Sequence, residues 1–364
     1  MRGWDLTMVS IKDVAKRAKV SIATVSNVLN KSKYVSDELT RRVMDAVREM
    51  DYQADPVARN MKAGRSKTIG VVTTDMCGLF YPYVIRGLFE VFNRYGYNMI
   101  TVDTNGLNDR EGSIQRTIDG FAQLVRSRVD GIVFSSIFPE DLEERYIREL
   151  LELSAARKKV EIVGIEADFE KYGIDSVSCD SIGGAQIATQ HLLSVGCRRI
   201  GHITGPIYTR VAQDRLEGCR RLLREHGIDL DARFVAHGDY THQSGYAAMR
   251  ALIERADGID GVFVANDQMA VGALRALAEA GKRVPEDMKV IGYDDVFIAS
   301  VVEPSLSTVH VQKNRMGQEA ARLLLDRIDR PERSGAVAIR LASTLVVRRS
   351  TVKDAKDDWI QVDW

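Results

Sequence analysis

Apolar residues near the start of the chain recur three or four positions apart. Positions 11–18 carry one apolar face, formed by Ile11, Val14, Ala15 and Ala18. A second stripe follows Ser21, a residue type that caps helix N-termini, and consists of Val25, Val28 and Leu29. A third begins after Ser36 and consists of Leu39, Val43, Ala46, Val47 and Met50. The pattern predicts three short helices that bury these faces against one another.

From Thr68 the pattern changes to short apolar, β-branched runs separated by helical stretches. The runs are TIGVVTT (68–74), NMITVD (98–103), DGIVFSS (130–136), VEIVGIE (160–166), RIGHIT (199–204), GVFVAN (261–266) and KVIGYDD (289–295). Strands that alternate with helices are typical of parallel sheets covered on both faces. These runs are too many for one small sheet, so we predict two α/β lobes with a ligand cleft between them, at the carboxyl ends of the strands.

The stretch between these two parts, ADPVARNMKAG (54–64), has the end signals of a helix but little room for one. Asp55 can cap it, Pro56 suits its first position and Gly64 suits its end, which leaves about two turns. Isolated helices of that length are marginal in water. A helix that is not stable alone can fold when it binds a partner; a flexible linker is the alternative.

Charge separates the N-terminal part from the rest. The 364-residue chain has 51 basic and 51 acidic residues. Residues 1–67 hold 14 Lys/Arg and 8 Asp/Glu, whereas the remainder holds 37 and 43. A basic head on an acidic body favours a polyanionic partner for the head.

Two short helices joined by about three residues and braced by a third form a helix-turn-helix. In that geometry the start of the second helix enters the DNA major groove. The candidate DNA contacts there are Ser21, Ile22, Ala23, Thr24, Ser26 and Asn27. Ile22 and Ala23 can touch a thymine methyl group and Asn27 can pair with adenine. The alternative is a three-helix bundle without a nucleic acid partner.

Nothing in the composition indicates a metal, a cofactor or a membrane. The four cysteines (Cys77, Cys179, Cys197 and Cys219) form no C-x-x-C pair and are expected to be buried or half-buried thiols. The six histidines show no metal-ligand spacing, and no apolar run has the length of a membrane span. The start, MRGWDLTMVS, lacks the apolar core of a secretory signal, so we expect a cytoplasmic protein.

Two parts of the chain resemble the LacI/GalR family of bacterial transcription regulators. IKDVAKRAKVSIATVSNVLN (11–30) and VSDELTRRVMDAVREMDYQADPVARNMKAGRSKTIGVV (35–72) are similar to its DNA-binding head and hinge. CDSIGGAQIATQHLLSVGCRRIGHITGP (179–206) and VANDQMAVGALRALAEAGKRVPEDMKVIGYDD (264–295) are similar to its effector-binding core. Lys19 departs from the family, which usually has glycine in that turn. Relatives often begin Met-x-x-Ile-x-Asp-Val-Ala, which makes Met8 an alternative start to Met1.

The resemblance implies the following organisation: a helix-turn-helix head at 8–54, a hinge at 55–67, a two-lobed effector-binding and dimerisation body at 68–349 with the fold of periplasmic sugar-binding proteins, and an acidic, disordered tail at 350–364. It implies that the chain crosses between the lobes near Glu166, Asp294 and Thr344. The hinge residues expected to contact DNA are Ala58, Arg59 and Met61. Met61 would open a base step from the minor groove, where the family has leucine.

The expected effector site combines residues that follow strands (Asp75, Phe80, Ser135 and Glu166) with residues that the resemblance implies. The complete set is Asp75, Phe80, Ser135, Glu166, Arg215, Tyr240, Asn266 and Asp294. The resemblance adds weight to Arg215 in RLEG, Asn266 in AND and Asp294 in GYDD. Carboxylates, an amide and a guanidinium can bind paired hydroxyl groups, and aromatic faces can cover a sugar ring. Lys313 stays open: an inward side chain would favour an acidic or phosphorylated effector, and the alternative is an exposed lysine.

Together these features predict an effector-controlled, sequence-specific DNA-binding regulator, a repressor rather than an activator. We expect a homodimer on a pseudo-palindromic operator, with a sugar or sugar-like effector. The C-terminal sequence has no leucine heptads, so a C-terminal helical coil is not indicated. A sugar-uptake protein would fit the body but not the basic head. An enzyme is disfavoured because the chain has no Walker loop, G-x-S-x-G or metal-ligand spacing.

Overall fold

The computed structural model describes residues 9–30, 33–52, 65–105, 110–135, 139–156 and 159–356. The contacts within the chain divide it after Ser66 into an N-terminal head and a C-terminal body, each described by itself. In the ranges given above, no helix is long and apolar enough to cross a membrane.

The head consists of α1 (Ile11–Ala18), α2 (Ile22–Asn30) and α3 (Asp37–Glu49). The second helix begins at the predicted cap, Ser21, and the first begins after Ser10, a cap that was not predicted. Ser10 and Asp13 form a reciprocal capping box at α1, and the Ser21 hydroxyl accepts the Thr24 backbone N–H at 3.1 Å. The predicted apolar faces form its core, which contains Val14, Ala15, Ala18, Val25, Val43 and Ala46.

The turn between α1 and α2 contains Lys19 in a left-handed conformation, with φ 52° and ψ 48°. This region favours glycine and costs other residues about 1 kcal/mol. Arg42 of α3 holds the turn by donating hydrogen bonds to the carbonyls of Ala18 at 2.7 Å and Lys19 at 3.2 Å. The third helix therefore supports the turn that orients α2.

The body contains two six-stranded sheets. The order of the first is β11 (Ala338–Leu341), β5 (Asp175–Cys179), β4 (Glu161–Ile165), β3 (Gly131–Ser135), β1 (Thr68–Thr73) and β2 (Asn98–Asp103). The order of the second is β12 (Thr344–Val346), β10 (Ser307–His310), β9 (Lys289–Asp294), β8 (Gly261–Val264), β6 (Ile200–Thr204) and β7 (Val235–His237). Neighbouring strands run parallel except β10 and β12. The two-lobed α/β prediction is confirmed.

Helices cover each sheet. The N-lobe consists of the first sheet with α4 (Tyr81–Arg94), α5 (Arg110–Arg126), α6 (Glu143–Ala155) and α12 (Lys313–Asp329). The C-lobe consists of the second sheet with α7 (Ser181–Ser194), α8 (Arg210–Glu225), α9 (His242–Arg255), α10 (Asp267–Glu279) and α11 (Phe297–Val301). The carboxyl ends of the parallel strands face the space between the lobes.

The chain crosses between the lobes three times, but two predicted crossing points are wrong. After Glu166 the chain continues into β5 of the same sheet, and after Asp294 it continues into β10 of the same sheet. The observed crossings lie at 179–181, 310–313 and 341–344. The third agrees with the prediction near Thr344. β5 (DSVSC) and β10 (STVH) are polar strands, so the hydrophobic pattern did not reveal them.

The predicted tail also begins too early. Ser350 and Thr351 are buried rather than part of a disordered segment. The Ser350 hydroxyl accepts the Ser307 backbone N–H at 2.8 Å, and the Thr351 hydroxyl lies 2.7 Å from His191 Nε2. These hydrogen bonds make the two residues part of the C-lobe. Residues 357–364 lie outside the described residues.

Glycines allow close approach of helices in both lobes. A Cβ atom built on Gly87 of α4 would lie 2.0 Å from the Asn314 carbonyl oxygen of α12. One built on Gly317 of α12 would lie 2.0 Å from the Val84 carbonyl oxygen of α4. In the C-lobe, a Cβ atom built on Gly272 of α10 would lie 2.0 Å from the His242 carbonyl oxygen. These helix interiors therefore leave no room for a side chain.

Gly87→Ala is expected to destabilise the protein by about 1–3 kcal/mol, because the added methyl group overpacks the contact between α4 and α12. Alanine's better helix propensity, about 1 kcal/mol, acts in the opposite direction. Urea unfolding of the full chain would measure the net effect. Asn93→Ala, at an exposed position of the same helix, is the matched control. A Gly87→Ala protein as stable as this control would contradict the close approach.

Candidate functional site

A cavity between the lobes encloses about 690 Å³, including the part open to solvent. Its N-lobe wall consists of Asp75, Leu79, Phe80, Tyr81 and Glu166. Its C-lobe wall consists of Thr209, Val211, Arg215, Tyr240, Asn266, Gln268, Asp294 and Val296. These residues follow strands or begin helices, because parallel strands bring their carboxyl ends and the next helix N-termini to one edge.

Seven of the eight predicted effector-site residues line this cavity. The exception is Ser135, which is buried at the end of β3 and lies beside the Tyr81 side chain rather than on the wall. The residues that the sequence did not single out are Leu79, Tyr81, Thr209, Val211, Gln268 and Val296. All of these except Thr209 lie within four positions along the chain of a predicted residue, and that proximity is the signal that could have found them.

Arg215 is the polar centre of the C-lobe wall. Its guanidinium lies 3.8 Å from the centre of the Tyr293 ring and is buried, with 8% of the residue exposed. It donates hydrogen bonds to the Ala265 carbonyl and, at 3.4 Å, to Asp294 Oδ1. Its Nε is buried with no partner in the ranges that the structure describes. The contact of Arg215 with a ligand therefore falls to the part of its guanidinium that lines the cavity.

Asn266 lines the cavity, yet both polar atoms of its side chain already have partners. Oδ1 accepts the Met269 backbone N–H at 2.8 Å and so caps α10. Nδ2 donates to the Tyr240 carbonyl at 3.1 Å. The amide thus fixes the backbone of Tyr240, so its contribution to the site includes positioning that aromatic residue.

The backbone is in the left-handed region at three wall residues. The φ angles are 73° at Glu166, 73° at Tyr240 and 102° at Asp294. Such conformations cost on the order of 1–3 kcal/mol each at non-glycine residues and cluster at ligand sites. They end the strands abruptly and direct these three side chains to the cavity wall.

Two buried carboxyl groups hold their protons more tightly than usual. Tyr81 donates a hydrogen bond to Glu166 Oε2 at 2.5 Å and accepts one from the Thr74 hydroxyl at 2.9 Å. Burial raises the pKa of Glu166 to about 7, while the Tyr81 hydrogen bond and the Arg215 charge oppose the shift. Burial raises the pKa of Asp294 to about 6, against the charges of Arg215 and Lys313. Proton uptake near neutral pH is therefore built into the cavity wall.

Lys313 is neither exposed nor directed into the cavity. It is 4% exposed, and its ammonium group donates hydrogen bonds to the carbonyls of Asp294, Asp295 at 2.9 Å and Val311 at 3.3 Å. Asp294 and Asp295 are both left-handed, with φ angles of 102° and 52°. Lys313, at the second crossing between the lobes, therefore holds this strained pair in place.

The predicted DNA contacts in the head differ in exposure. Ser21, Ile22 and Ala23 are exposed, and Thr24, Ser26 and Asn27 are half-buried. Ile22, a large apolar side chain, is 44% exposed. This exposure is what a base-contacting surface on α2 requires. The hinge residues predicted to contact DNA, Ala58, Arg59 and Met61, lie outside the described residues.

The expectation of buried or half-buried thiols is confirmed for three of the four cysteines. Cys197 and Cys219 are buried and Cys179 is half-buried, but Cys77, in the loop after β1, is exposed. Among the residues that the structure describes, no group of three or more His, Cys, Asp or Glu side chains could hold a metal ion.

Comparison with known proteins finds similarity along nearly the whole chain. The family model "Bacterial regulatory proteins, lacI family" matches residues 10–55, and the periplasmic binding protein-like domain matches residues 189–351. The HTH-type transcriptional repressor PurR of Edwardsiella ictaluri is 35% identical, covering 94% of this chain and 97% of that protein. The ribose operon repressor of Escherichia coli K12 is 34% identical, covering 89% and 94%.

Solved structures show the same similarity. The transcriptional regulator CelR in complex with cellobiose is 32% identical, with a TM-score of 0.69, and covers 94% of this chain and 99% of its own. The lac repressor dimer bound to operator and the anti-inducer ONPF is 26% identical, with a TM-score of 0.81 and the same coverage.

Proposed function

This chain belongs to the lacI family of bacterial regulatory proteins, and from that premise we propose that it is a repressor controlled by a sugar or sugar-like effector. It is a DNA-binding transcription regulator, as its family is. The observation that carries the proposal is the cavity between the lobes, in a chain whose head exposes the start of its second helix. The proposal includes no catalytic step and places the protein in the cytoplasm, with its operator.

A polyhydroxylated effector suits the chemistry of the cavity. Its wall combines carboxylates, a guanidinium and amides with the aromatic rings of Phe80, Tyr81 and Tyr240. Such a set can bind hydroxyl groups in pairs and cover an apolar ring face. The neighbouring CelR structure contains cellobiose, and a LacI family regulator from Enterococcus faecium, 28% identical, contains ribose.

A homodimer on a pseudo-palindromic operator is part of the proposal, because two heads related by a twofold axis would bind two half-sites. The lac repressor to which the body is similar is described as a dimer on its operator. The N-lobe of this chain exposes Phe89 of α4 by 55% and Ile100 of edge strand β2 by 41%. A second copy could cover these apolar groups, and sedimentation of the purified chain would measure its oligomeric state.

Gel shift with genomic fragments at two salt concentrations tests the proposal. We expect binding to a specific fragment that weakens steeply with salt, because released counterions dominate DNA affinity. Adding candidate effectors should then change the fraction of DNA bound. Failure to bind any fragment specifically, with or without effector, would contradict the proposed function.

Substitution of Ile22, Ala23 or Asn27 is expected to change which operator is preferred. Each base-edge contact contributes roughly 1–3 kcal/mol of discrimination, so preference at the contacted position should shift at least several-fold. Selection from a random duplex pool would measure it. Glu38→Gln, an exposed change on α3, should alter overall affinity without altering base preference. If all three substitutions leave the selected sequence unchanged, α2 is not the recognition helix.

A further inference from the structure

We propose that the effector carries a protonated amine in addition to hydroxyl groups, as an amino sugar or a polyhydroxylated amine does. The amine would bind at the N-lobe wall, at Glu166 and Asp75. This inference rests on the proposed function, since it specifies the chemistry of the effector in the same cavity.

The charges on the cavity wall do not balance. Three carboxyl groups, those of Asp75, Glu166 and Asp294, line the cavity, whereas Arg215 is the single cation among the described lining residues. Arg215 is engaged with Asp294 and with the Ala265 carbonyl. Neither Asp75 nor Glu166 therefore forms an ion pair on the wall that the structure describes, although the Arg215 charge acts on Glu166.

An anionic effector finds only Arg215 as a counter-charge in this cavity, and that guanidinium already pairs with Asp294. Lys313 was the open candidate for binding a phosphate or carboxylate, but its ammonium donates to three backbone carbonyls and does not line the cavity. A phosphate would have to approach two carboxyl groups on the N-lobe wall. Like charges in a buried site repel strongly, so sugar phosphates should be rejected.

A cationic group is the ligand feature that fits the two carboxyl groups. Closing a ligand over a carboxylate removes water from it, and an unpaired buried charge is costly. A hydroxyl group can donate one hydrogen bond but leaves the charge in place, whereas an ammonium group supplies both donors and the opposite charge. Burial raises the pKa of Asp75 and of Glu166, so a cationic ligand group beside them would offset a cost that the free protein bears.

The two walls give the ligand an orientation. Glu166 and Asp75, on the N-lobe, offer acceptors. On the C-lobe, the Arg215 guanidinium and the Gln268 amide line the cavity and can donate hydrogen bonds to a ligand. The ligand would therefore direct its amine to the N-lobe and its hydroxyl or ring oxygens to the C-lobe, so that its binding joins the two lobes.

Matched sugars test this inference. Calorimetric titration of the purified full chain would compare D-glucose, D-galactose and D-mannose with their 2-amino-2-deoxy forms and their 6-phosphates. At pH 7.5 at least one amino sugar is expected to bind about tenfold or more tightly than its parent sugar, because a charge-assisted hydrogen bond replaces a neutral one. No phosphate should bind. At pH 5.5 the preference should shrink, because Glu166 then carries a proton.

Two variants connect the preference to the named carboxyl groups. In Glu166→Gln, and separately in Asp75→Asn, the ratio of amino-sugar to parent-sugar affinity should fall several-fold towards one. Glu152→Gln, at an exposed position of α6, should leave the ratio unchanged. A ratio unchanged in both cavity variants would overturn the assignment.

Three results of the titration would also overturn it: a parent sugar that binds as tightly as its amino form, binding of a phosphate, or no binding of any compound. The regulator proposal survives each of them as long as the chain binds a specific operator. The regulator proposal is contradicted only if the gel shift shows no specific binding, so the two failures can be told apart.

Discussion

Arg215→Ala is expected to abolish the effector response and to lower the free energy of unfolding by about 3–5 kcal/mol. The side chain is buried and pairs with Asp294, which is itself buried. Removing the Arg215 side chain takes a hydrogen-bond donor from the Asp294 carboxyl group and from the Ala265 carbonyl. Water cannot easily replace that donor at a buried position. Urea unfolding of the full chain and effector titration of an operator complex would measure the two effects.

A second substitution separates the buried charge from the lost packing. Asp294→Asn in the Arg215→Ala background should restore part of the lost stability, because it removes the unpaired carboxylate, and a double-mutant cycle gives the coupling. Arg221→Ala, which breaks an exposed pair with Glu217 on the same helix, should change stability by less than about 1 kcal/mol. If Arg215→Ala is as mild as Arg221→Ala, the ion pair with Asp294 contributes little.

Glu166→Gln is expected to stabilise the protein at alkaline pH. The pKa of Glu166 rises from 4.5 to about 7 in the folded protein. Between these values the folded state binds more protons than the unfolded state, so stability is lost as the pH rises. Glutamine keeps an acceptor for Tyr81 and carries no charge. The variant should match the wild type near pH 4.5 and exceed it by up to roughly 3 kcal/mol at pH 8.

Urea unfolding in a series of buffers from pH 4.5 to pH 8 would measure this difference. The stability of the Glu166→Gln variant should still fall somewhat as the pH rises, because the pKa of Asp294 is also raised. Glu152→Gln, at its exposed position, should follow the wild type at every pH. Parallel curves for the wild type and Glu166→Gln would show that the Glu166 carboxyl group titrates normally.

The apolar pattern was enough to predict the head and most of the strands, because burial of apolar faces is a local property of the sequence. It missed β5, whose Asp175 is fully buried. Arg327 makes that burial possible by donating to both Asp175 oxygens, at 2.8 and 2.9 Å, from 152 residues further along the chain. A strand whose polar groups are satisfied from so far away has no local signature.

For the candidate site, the sequence predicted most of the lining residues but not every role. Residue types that follow strands placed Asp75 and Glu166 near a cleft, the family resemblance of RLEG added Arg215, and all three line the cavity. The role of Lys313 could not be predicted, because its partners are backbone carbonyls. Which carbonyls lie within its reach depends on the left-handed turn after β9, a feature of backbone geometry that residue types alone do not specify.

The three crossings also determine when each lobe can be finished as the chain is synthesised. The helices α7–α11 and strands β6–β10 of the C-lobe come from the continuous stretch 181–310. The N-lobe begins earlier, at β1, but it needs α12 and β11, which end at Leu341. Until α12 emerges from the ribosome, α4 lacks the helix that packs against Gly87. The N-lobe is therefore started first but still waits for α12 when most of the C-lobe has been synthesised, and its apolar interior stays open to chaperones and proteases for most of translation.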